Sequence, residues 1–599
     1  MQRLYQQRLV SNLTEKIRTI DHLPLTTYPG KTMSVDRRRF MAACSTLGLS
    51  GTLFPGALYT LIQQGADLTT KTIASAEEIA GLEFSEEHRE LLVEDLTEQT
   101  EEYAALRALA MPNSVAPAFV FDPRIGGVRP PSSGGAMRWG PPPVERPADD
   151  ESLAYMTVAE LAYLLKERKV TSTELTELYL ARLKQYDGVL EAVVTLTENT
   201  AFAQAAKADV ELDAGAWRGP LHGIPYGAKD LLSVKGYPTT WGAMPYKDQV
   251  IDEDAAVIEK LETAGAVLIA KLTLGALAWG DVWYGGKTKN PWNIEQGSSG
   301  SSAGPGSAVA AGLVGFAIGS ETLGSIVSPS TRNGVTGHRP TFGLVSRHGA
   351  MTLSWSMDKL GPMTRSALDC ALVFDAIRGA DTRDPSTLDA PFPFNTSMDV
   401  TRLRVGYLDE AFEGEAYQNQ EADKAVLTVL RSLGVDLKPM KLPDDLPVGA
   451  MLMTLGIEAA AAFDDLTRNG GVDTMVRQGK NTWPHEFRKS RFIPAVEFWQ
   501  ANRARTLLMH RMAEVMQEVD VFISPSFRGG TLRITNLTGH PCVCLPNAFH
   551  PLDDAPDSPR RRPASITFTG GLYKDAEVLA LAHAYQQATD FHRRRPPIL

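Results

Sequence analysis

A chain of 599 residues exceeds what one hydrophobic core supports, so two or more structural units are expected. A hydrophobic fraction of 43% and a charged fraction of 22% are ordinary for a soluble globular protein, and a net charge of −11 excludes a broad basic surface for nucleic acid. Four cysteines (Cys44, Cys370, Cys542, Cys544) without a C-x-x-C pair, and 11 histidines without an H-E-x-x-H spacing, point to neither a disulfide framework nor a metal centre.

Near the N-terminus, Arg37, Arg38 and Arg39 precede a run without charge from Phe40 to Ala66. Basic residues before a moderately apolar stretch form the first two regions of a signal peptide, and consecutive arginines followed by x-Phe-Met resemble the twin-arginine export signal. Gly48, Gly51, Pro55 and Gly56 make the run a poor permanent membrane helix, so no membrane association beyond an N-terminal anchor is expected. The resemblance implies an exported, periplasmic protein, and a cytoplasmic one if the segment is not a signal. Met33 offers an alternative start, and small-x-small sites lie near Ala57 and at Ala74–Ala76.

Residues 1–66 thus read as an export-signal-like region and 67–121 as a helical segment. Within the latter, Ser85 is the predicted N-cap, Glu86 and Glu87 suit the positive end of the helix, and Pro112 and Asn113 stop it. Residues 122–151, rich in Pro and Gly and without apolar period, read as a linker. A domain is expected over 152–599, opening with helical periodicity capped by Thr157 and by Thr171 or Ser172. The runs AVVTL, AVLIAKL, VGFAI, RVGYL, DVFISPS and CVCLP then alternate with helix patterns such as DAAVIEKLETAG and DCALVFDAIRG. That alternation predicts an α/β fold with helices on both faces of a sheet.

Lys229 follows GPLHGIPYGA and precedes Asp230, among Ile224, Pro225, Tyr226, Leu231 and Leu232. Enclosure by such residues would desolvate the amine and favour its neutral, basic form; a structural lysine snorkelling to the surface fits the same spacing. GDVWYGGKT (280–288) has Asp281 where a phosphate-binding loop needs glycine and no helix pattern after it, so nucleotide binding is rejected. GSSAG (300–304) matches the G-x-S-x-G elbow, but KNPWNIEQGSS reads as no strand and Pro305 and Gly306 as a delay to the helix. The basic clusters at 559–563 and 591–597 lie beside prolines and read as solvated loops.

Two Ser/Gly clusters, GSSGSSAGPGS (297–307) and GFAIGSETLGSIVSPS (315–330), hold nine serines and are joined by the apolar run AVAAGLVGFAI, which a flexible linker does not need. GPLHGIPYGAKD, followed by KNPWNIEQGSSGSSAGPGSAVAAGLVGFAIGSETLGSIVSPSTRNGVTGHRPTFGLVS, resembles the amidase signature family over most of residues 152–390. Weaker echoes, including TNLTGHPCVCLP, run to the end. The resemblance implies a large mixed central β-sheet covered by helices on both faces, preceded here by a helical N-terminal extension.

It also implies a Ser–cisSer–Lys triad of Ser325 as nucleophile, Ser301 as relay on a cis peptide bond, and Lys229 as base. The backbone N–H groups of Thr322, Leu323, Gly324 and Ser325 would form an oxyanion hole, with Ser320, Glu321 and Ser302 in support. Where the family's common form is D-x-G-G-S-I-R, this chain reads ETLGSIV: Leu323 replaces a glycine and Val327 an arginine. Leu323 therefore either lies at negative φ or reshapes the hole. No cofactor is implied.

The activity implied is serine amidohydrolysis of a linear amide in a small molecule, by a protein free to form a homodimer. Two alternatives share the fold. One is the glutamine-hydrolysing A subunit of the tRNA-dependent amidotransferase, against which the export-like N-terminus counts. The other is a binding protein that has lost activity.

Overall fold

The computed structural model describes residues 68–597 apart from 110 and 141. Met33, Arg37–Arg39, Cys44 and the uncharged run to Ala66 lie outside the described residues. The chain divides at Arg107 into two units.

In the first unit, helices Thr70–Ala80 and Glu86–Arg107 follow one another. Thr69 Oγ1 accepts from Thr72 N–H, and Gly81 leaves the first helix at φ 67°. Ser85 Oγ accepts from His88 N–H at 3.2 Å, the cap that its place before two glutamates predicts. Arg89 closes the unit on Glu77, Nη2 to Oε2 2.8 Å. The second helix stops at Arg107, one turn before Pro112.

The second unit is built on an eleven-stranded mixed sheet. In chain order its strands are β1 (Val193–Leu196), β2 (Pro225–Lys229), β3 (Val267–Leu272), β8 (Phe316–Glu321), β9 (Thr336–Arg339), β10 (Lys359–Thr364), β11 (Val405–Leu408), β12 (Leu437–Met440), β13 (Val521–Pro525), β14 (Cys542–Pro551) and β15 (Arg561–Gly570). Two short ribbons pair β4 (Val282–Trp283) with β5 (Gly286–Lys287) and β6 (Lys289–Asn290) with β7 (Asn293–Gly297). The spatial order is β1-β3-β2-β8-β10-β9-β14-β15-β13-β11-β12. β3, β2 and β8 run parallel to one another, with β1 antiparallel at the edge. From β8 across to β13 each neighbouring pair is antiparallel, and β13, β11 and β12 are parallel again.

Successive strand residues face opposite sides of a sheet, and every residue of β2, β3, β8, β10 and β13 is buried. Both faces at the centre are therefore covered, as expected for an α/β fold with helices on each side. Thr157 and Thr171 each close a complete capping box with the glutamate three residues on. Ser172, the alternative cap, instead gives its hydroxyl to Gly223 O.

Three local expectations change. Residues 122–151 run along the second unit. The turn Pro123–Gly126 sits on helix Ala495–Val515 so closely that a Cβ on Gly126 would lie 2.8 Å from Met509 O, and Arg138 N–H donates to Phe394 O at 2.8 Å. Proline and glycine here provide close approach to a neighbouring surface rather than slack. The basic cluster at 559–563 enters β15, where Arg561 and Arg562 pair with Pro551 and His550, and Arg560 meets Glu295 at 2.6 Å. Finally, the GSSAG stretch does follow a strand, β7, and helix Ala303–Ala310 begins two residues before Pro305. Proline is tolerated there because the first turn of a helix needs no N–H from it.

Candidate active site

Adjacent parallel strands carry the first half of the site. Ala228 of β2 lies in register with Ile318 of β8, which brings Lys229 and Ser320 to the same end of the sheet. β2 ends at Lys229, and the chain turns away through Asp230, whose Oδ1 meets the buried Lys271 Nζ at 2.7 Å. β8 ends at Glu321, and the turn 322–326 leads into helix Val327–Asn333.

The loop between β7 and helix Ala303–Ala310 supplies the second half. Its Gly300–Ser301 peptide is cis, and Ser299 adopts φ 61°. A Cβ at Gly300 would stand 1.9 Å from Gly280 O, so only glycine fits against that carbonyl. Ser302 N–H donates to Ser325 O at 3.2 Å and ties this loop to the turn after β8.

Lys229 has no exposed surface, and its Nζ lies 2.8 Å from Ser301 Oγ, 3.0 Å from Ser302 Oγ and 2.8 Å from Ser320 Oγ. Burial drives its pKa well below the usual 10.5, and Asp358 and Glu321 oppose that only in part. In its neutral form the amine has two N–H bonds and one lone pair, so one of its three hydroxyl neighbours would then donate to it. Ser302 cannot, because its one proton goes to Ser320 O at 3.1 Å while its oxygen also accepts from Ser320 N–H. The lone pair is left to Ser301 or Ser320. The spacing that allowed a snorkelling lysine has thus produced an enclosed amine, and Ser302 braces it despite standing in an elbow-like stretch.

Thr322, Leu323, Gly324 and Ser325 form the turn, and among the described residues none of their backbone N–H groups meets an acceptor. Positive φ falls on Gly324, at 86°, and Leu323 stays at negative φ. The leucine therefore replaces glycine without backbone strain. Glu321 braces the turn from behind: Oε2 accepts from Ile326 N–H at 2.8 Å and Val327 N–H at 3.0 Å, while Oε1 meets Arg339 Nη1 at 2.6 Å and Asn536 Nδ2 at 2.9 Å. Burial works to raise this carboxyl, but Arg339, the Val327 N–H and Asn536 outweigh it and hold the pKa at about 2.

Four contributors carry no signal in their own neighbourhoods: Arg339, Asn536, Asp358 and Lys359. Asp358 accepts from Thr322 Oγ1 at 2.5 Å and from the N–H groups of Leu353 and Ser354, both at 2.8 Å. Burial raises its pKa against those bonds. Lys359 faces Glu321 across the β8–β10 pair, and burial, helped by Arg339, lowers its pKa strongly.

Thr322, Leu323, Gly324 and Ser325 open onto a cavity of about 760 Å³. Trp279, Leu353, Leu452, Met453, Leu455 and Trp483 give it a mainly apolar wall. Ser325 is 9% exposed. The helical segment around MLMTLGIEAAAA contributes Gly449, Ala450, Leu452, Met453, Leu455 and Gly456 to this wall, over 120 residues from the turn it faces.

Residues 174–551 match the Amidase family model. The A subunit of a glutamyl-tRNA(Gln) amidotransferase from Methylococcus capsulatus is 33% identical over 491 residues, covering 74% of this chain and 98% of the relative. The corresponding protein of Moorella thermoacetica is 31% identical over 496 residues, 74% of this chain and 99% of the relative. Among solved structures, the native peptide amidase from Stenotrophomonas maltophilia matches with a TM-score of 0.64 at 28% identity, covering 74% of this chain and 98% of that one.

Proposed function

Because the chain belongs to the amidase signature family, we propose that it hydrolyses a carbon–nitrogen amide bond of a small molecule through a serine acyl-enzyme. The observation that carries this reading is a lysine with no exposed surface, its pKa pushed down by burial, sealed among three hydroxyls beside a turn of free N–H groups. Neutral Lys229 takes the Ser301 proton, Ser301 takes that of Ser325, and Ser325 Oγ attacks the amide carbonyl. The carbonyl oxygen, now negative, is met by the N–H groups of the 322–325 turn, donors typically worth a few kcal/mol each when preorganised. The proton returns through Ser301 to the leaving amine. Water then attacks the ester by the same relay and frees Ser325.

A second reading is the glutamine-hydrolysing A subunit of a tRNA-dependent amidotransferase. The identity of 33% to such a protein, over nearly all of its length, favours it. Ammonia and amine release from glutamine and from aliphatic, aryl and peptide amides decides between them. Turnover confined to glutamine supports the second reading. Absence of turnover across the panel, with no labelling of Ser325 by a fluorophosphonate, leaves a binding protein of this fold. The export reading rests on Arg37–Arg39, and an intact N-terminus on protein confined to the cytosol would reject it.

A further inference from the structure

Thr322 heads the turn that carries Ser325, and it lines two cavities. One is the large cavity in front of Ser325. The other, of about 90 Å³, has room for water and is also lined by Ser320, Leu353, Asp358 and Arg347. Asp358 is half-buried and lines only this second cavity.

Three donors converge on the Asp358 carboxylate. Thr322 Oγ1–H reaches Oδ1 at 2.5 Å, and the N–H groups of Leu353 and Ser354 both reach Oδ2 at 2.8 Å. The two oxygens thus hold two pieces of chain together: the oxyanion turn on one side, and on the other the loop that brings Leu353 to the wall of the large cavity. The carboxylate is itself anchored by the sheet, because the next residue, Lys359, pairs with Glu321 at the start of β10. Only a carboxylate satisfies all three donors. An amide in its place offers one acceptor oxygen and turns an N–H₂ towards a donor on the other side.

Its charge matters as well. Two carboxylates face Lys229, and Asp358 and then Glu321 favour the charged amine against burial. Glu321 is answered by Arg339 at 2.6 Å. The hydrogen-bond partners of Asp358 are all neutral, and the cation facing it, Arg347, is already paired with Asp384 at 3.0 Å. The adjacent Lys359 is pushed towards its neutral form by burial. Asp358 is therefore the less compensated of the two negative charges.

We propose that Asp358 is a positioning residue of the reaction: through Thr322 Oγ1 it sets the oxyanion turn against the Leu353 loop, and through space its charge acts on Lys229. This deepens the hydrolase reading and rests on it.

The test measures kcat and KM across pH for the full chain and for Asp358→Asn, Thr322→Val and the double variant, on an amide that the unsubstituted protein turns over. Thr322→Val cuts the same link from the other end and leaves the carboxylate charged. Asp358→Asn is expected to lower kcat about 10²-fold with KM changed less than about threefold, because the oxyanion donors act in the transition state. Thr322→Val should lower kcat too, and the double variant should be no slower than Asp358→Asn, since both cut one link. The acid limb of kcat/KM should move to lower pH in Asp358→Asn, where a negative neighbour of Lys229 is gone, and stay in place in Thr322→Val. Effects that multiply in the double variant, an unchanged kcat in either single variant, a fall in kcat/KM carried by KM, or an acid limb that does not move in Asp358→Asn overturns the proposal. If Asp358→Asn does not fold, Thr322→Val decides alone: a lower kcat with an unmoved acid limb supports the link, and an unchanged kcat overturns it. An unsubstituted protein without turnover counts against the hydrolase reading alone. The rate of fluorophosphonate labelling at Ser325, which uses the same turn, then replaces kcat, and absence of labelling rejects both.

Discussion

Glu321 and Arg339 form an ion pair with no exposed surface on either side chain, Oε1 to Nη1 2.6 Å, directly behind the turn that carries Ser325. A pair this deep holds position more than it adds stability, because desolvation offsets most of the attraction. Removing one partner is another matter. Glu321→Gln leaves the Arg339 charge uncompensated and is expected to cost about 3–5 kcal/mol in denaturant unfolding. It should also lower kcat by loosening the 322–326 turn. The folded carboxyl titrates at about 2 against 4.5 unfolded, so its contribution is complete above pH 4.5 and is lost as pH falls from there towards 2. The variant should lack that part of the acid slope; an identical acid profile would show that Glu321 does not supply it.

Ser325→Ala is expected to reduce amide turnover by at least about 10⁴-fold and to abolish fluorophosphonate labelling, with little change in melting temperature. Labelling that persists would place the nucleophile on another serine. Ser302→Ala, by contrast, removes only a bracing hydroxyl and should retain labelling.

The base is expected to set the acid side of the pH profile. Lys229 must be neutral, and its pKa is displaced downward from 10.5, so kcat/KM should rise and level off well below pH 10.5. The sign follows from the base: protonation on the acid side removes the lone pair that Ser301 needs. Activity that keeps climbing to pH 10.5 would mean an ordinary lysine. Lys229→Met should leave no such limb and almost no turnover.

Gly300→Ala adds one methyl where Gly280 O stands 1.9 Å away. The loop must move, and Ser301 with it. A displacement of that order is expected to cost about 10²-fold in kcat although every reacting group is still present. Wild-type kcat from this variant would mean that the loop tolerates displacement.

Leu323→Gly tests the departure from the family's turn. Because Leu323 already lies at negative φ, no backbone strain is relieved, and stability should not increase. The leucine lines the cavity, so KM for apolar amides should rise roughly three- to tenfold with kcat less affected. A stability gain would show that the leucine is strained after all.

Local signals were the legible ones. Ser85, Thr157 and Thr171 cap helices because a cap involves residues three positions apart, and runs such as AVLIAKL form strands because burial on both faces needs continuous apolar sequence. β2 escaped that logic: P-Y-G-A-K ends on a buried lysine, acceptable only beside the serines of β8 and of the 298–302 loop. β9 carries His338 and Arg339, whose burial depends on Asp575 and Glu321 from other strands and helices. Lys229, Ser301 and Ser325 stood out through long motifs. The cavity wall did not, since Leu323, Leu452 and Trp483 meet only after the sheet is assembled.

The enclosure of Lys229 has a consequence for chemical probing. Acylating reagents attack lysine in its unprotonated form, which burial favours at Lys229, yet this amine has no surface for a reagent to touch. Its acylation should therefore be timed by unfolding rather than by its own nucleophilicity. Mass spectrometry of the peptide containing residue 229, after brief exposure to an anhydride, turns the buried base into a clock for opening of the fold around it.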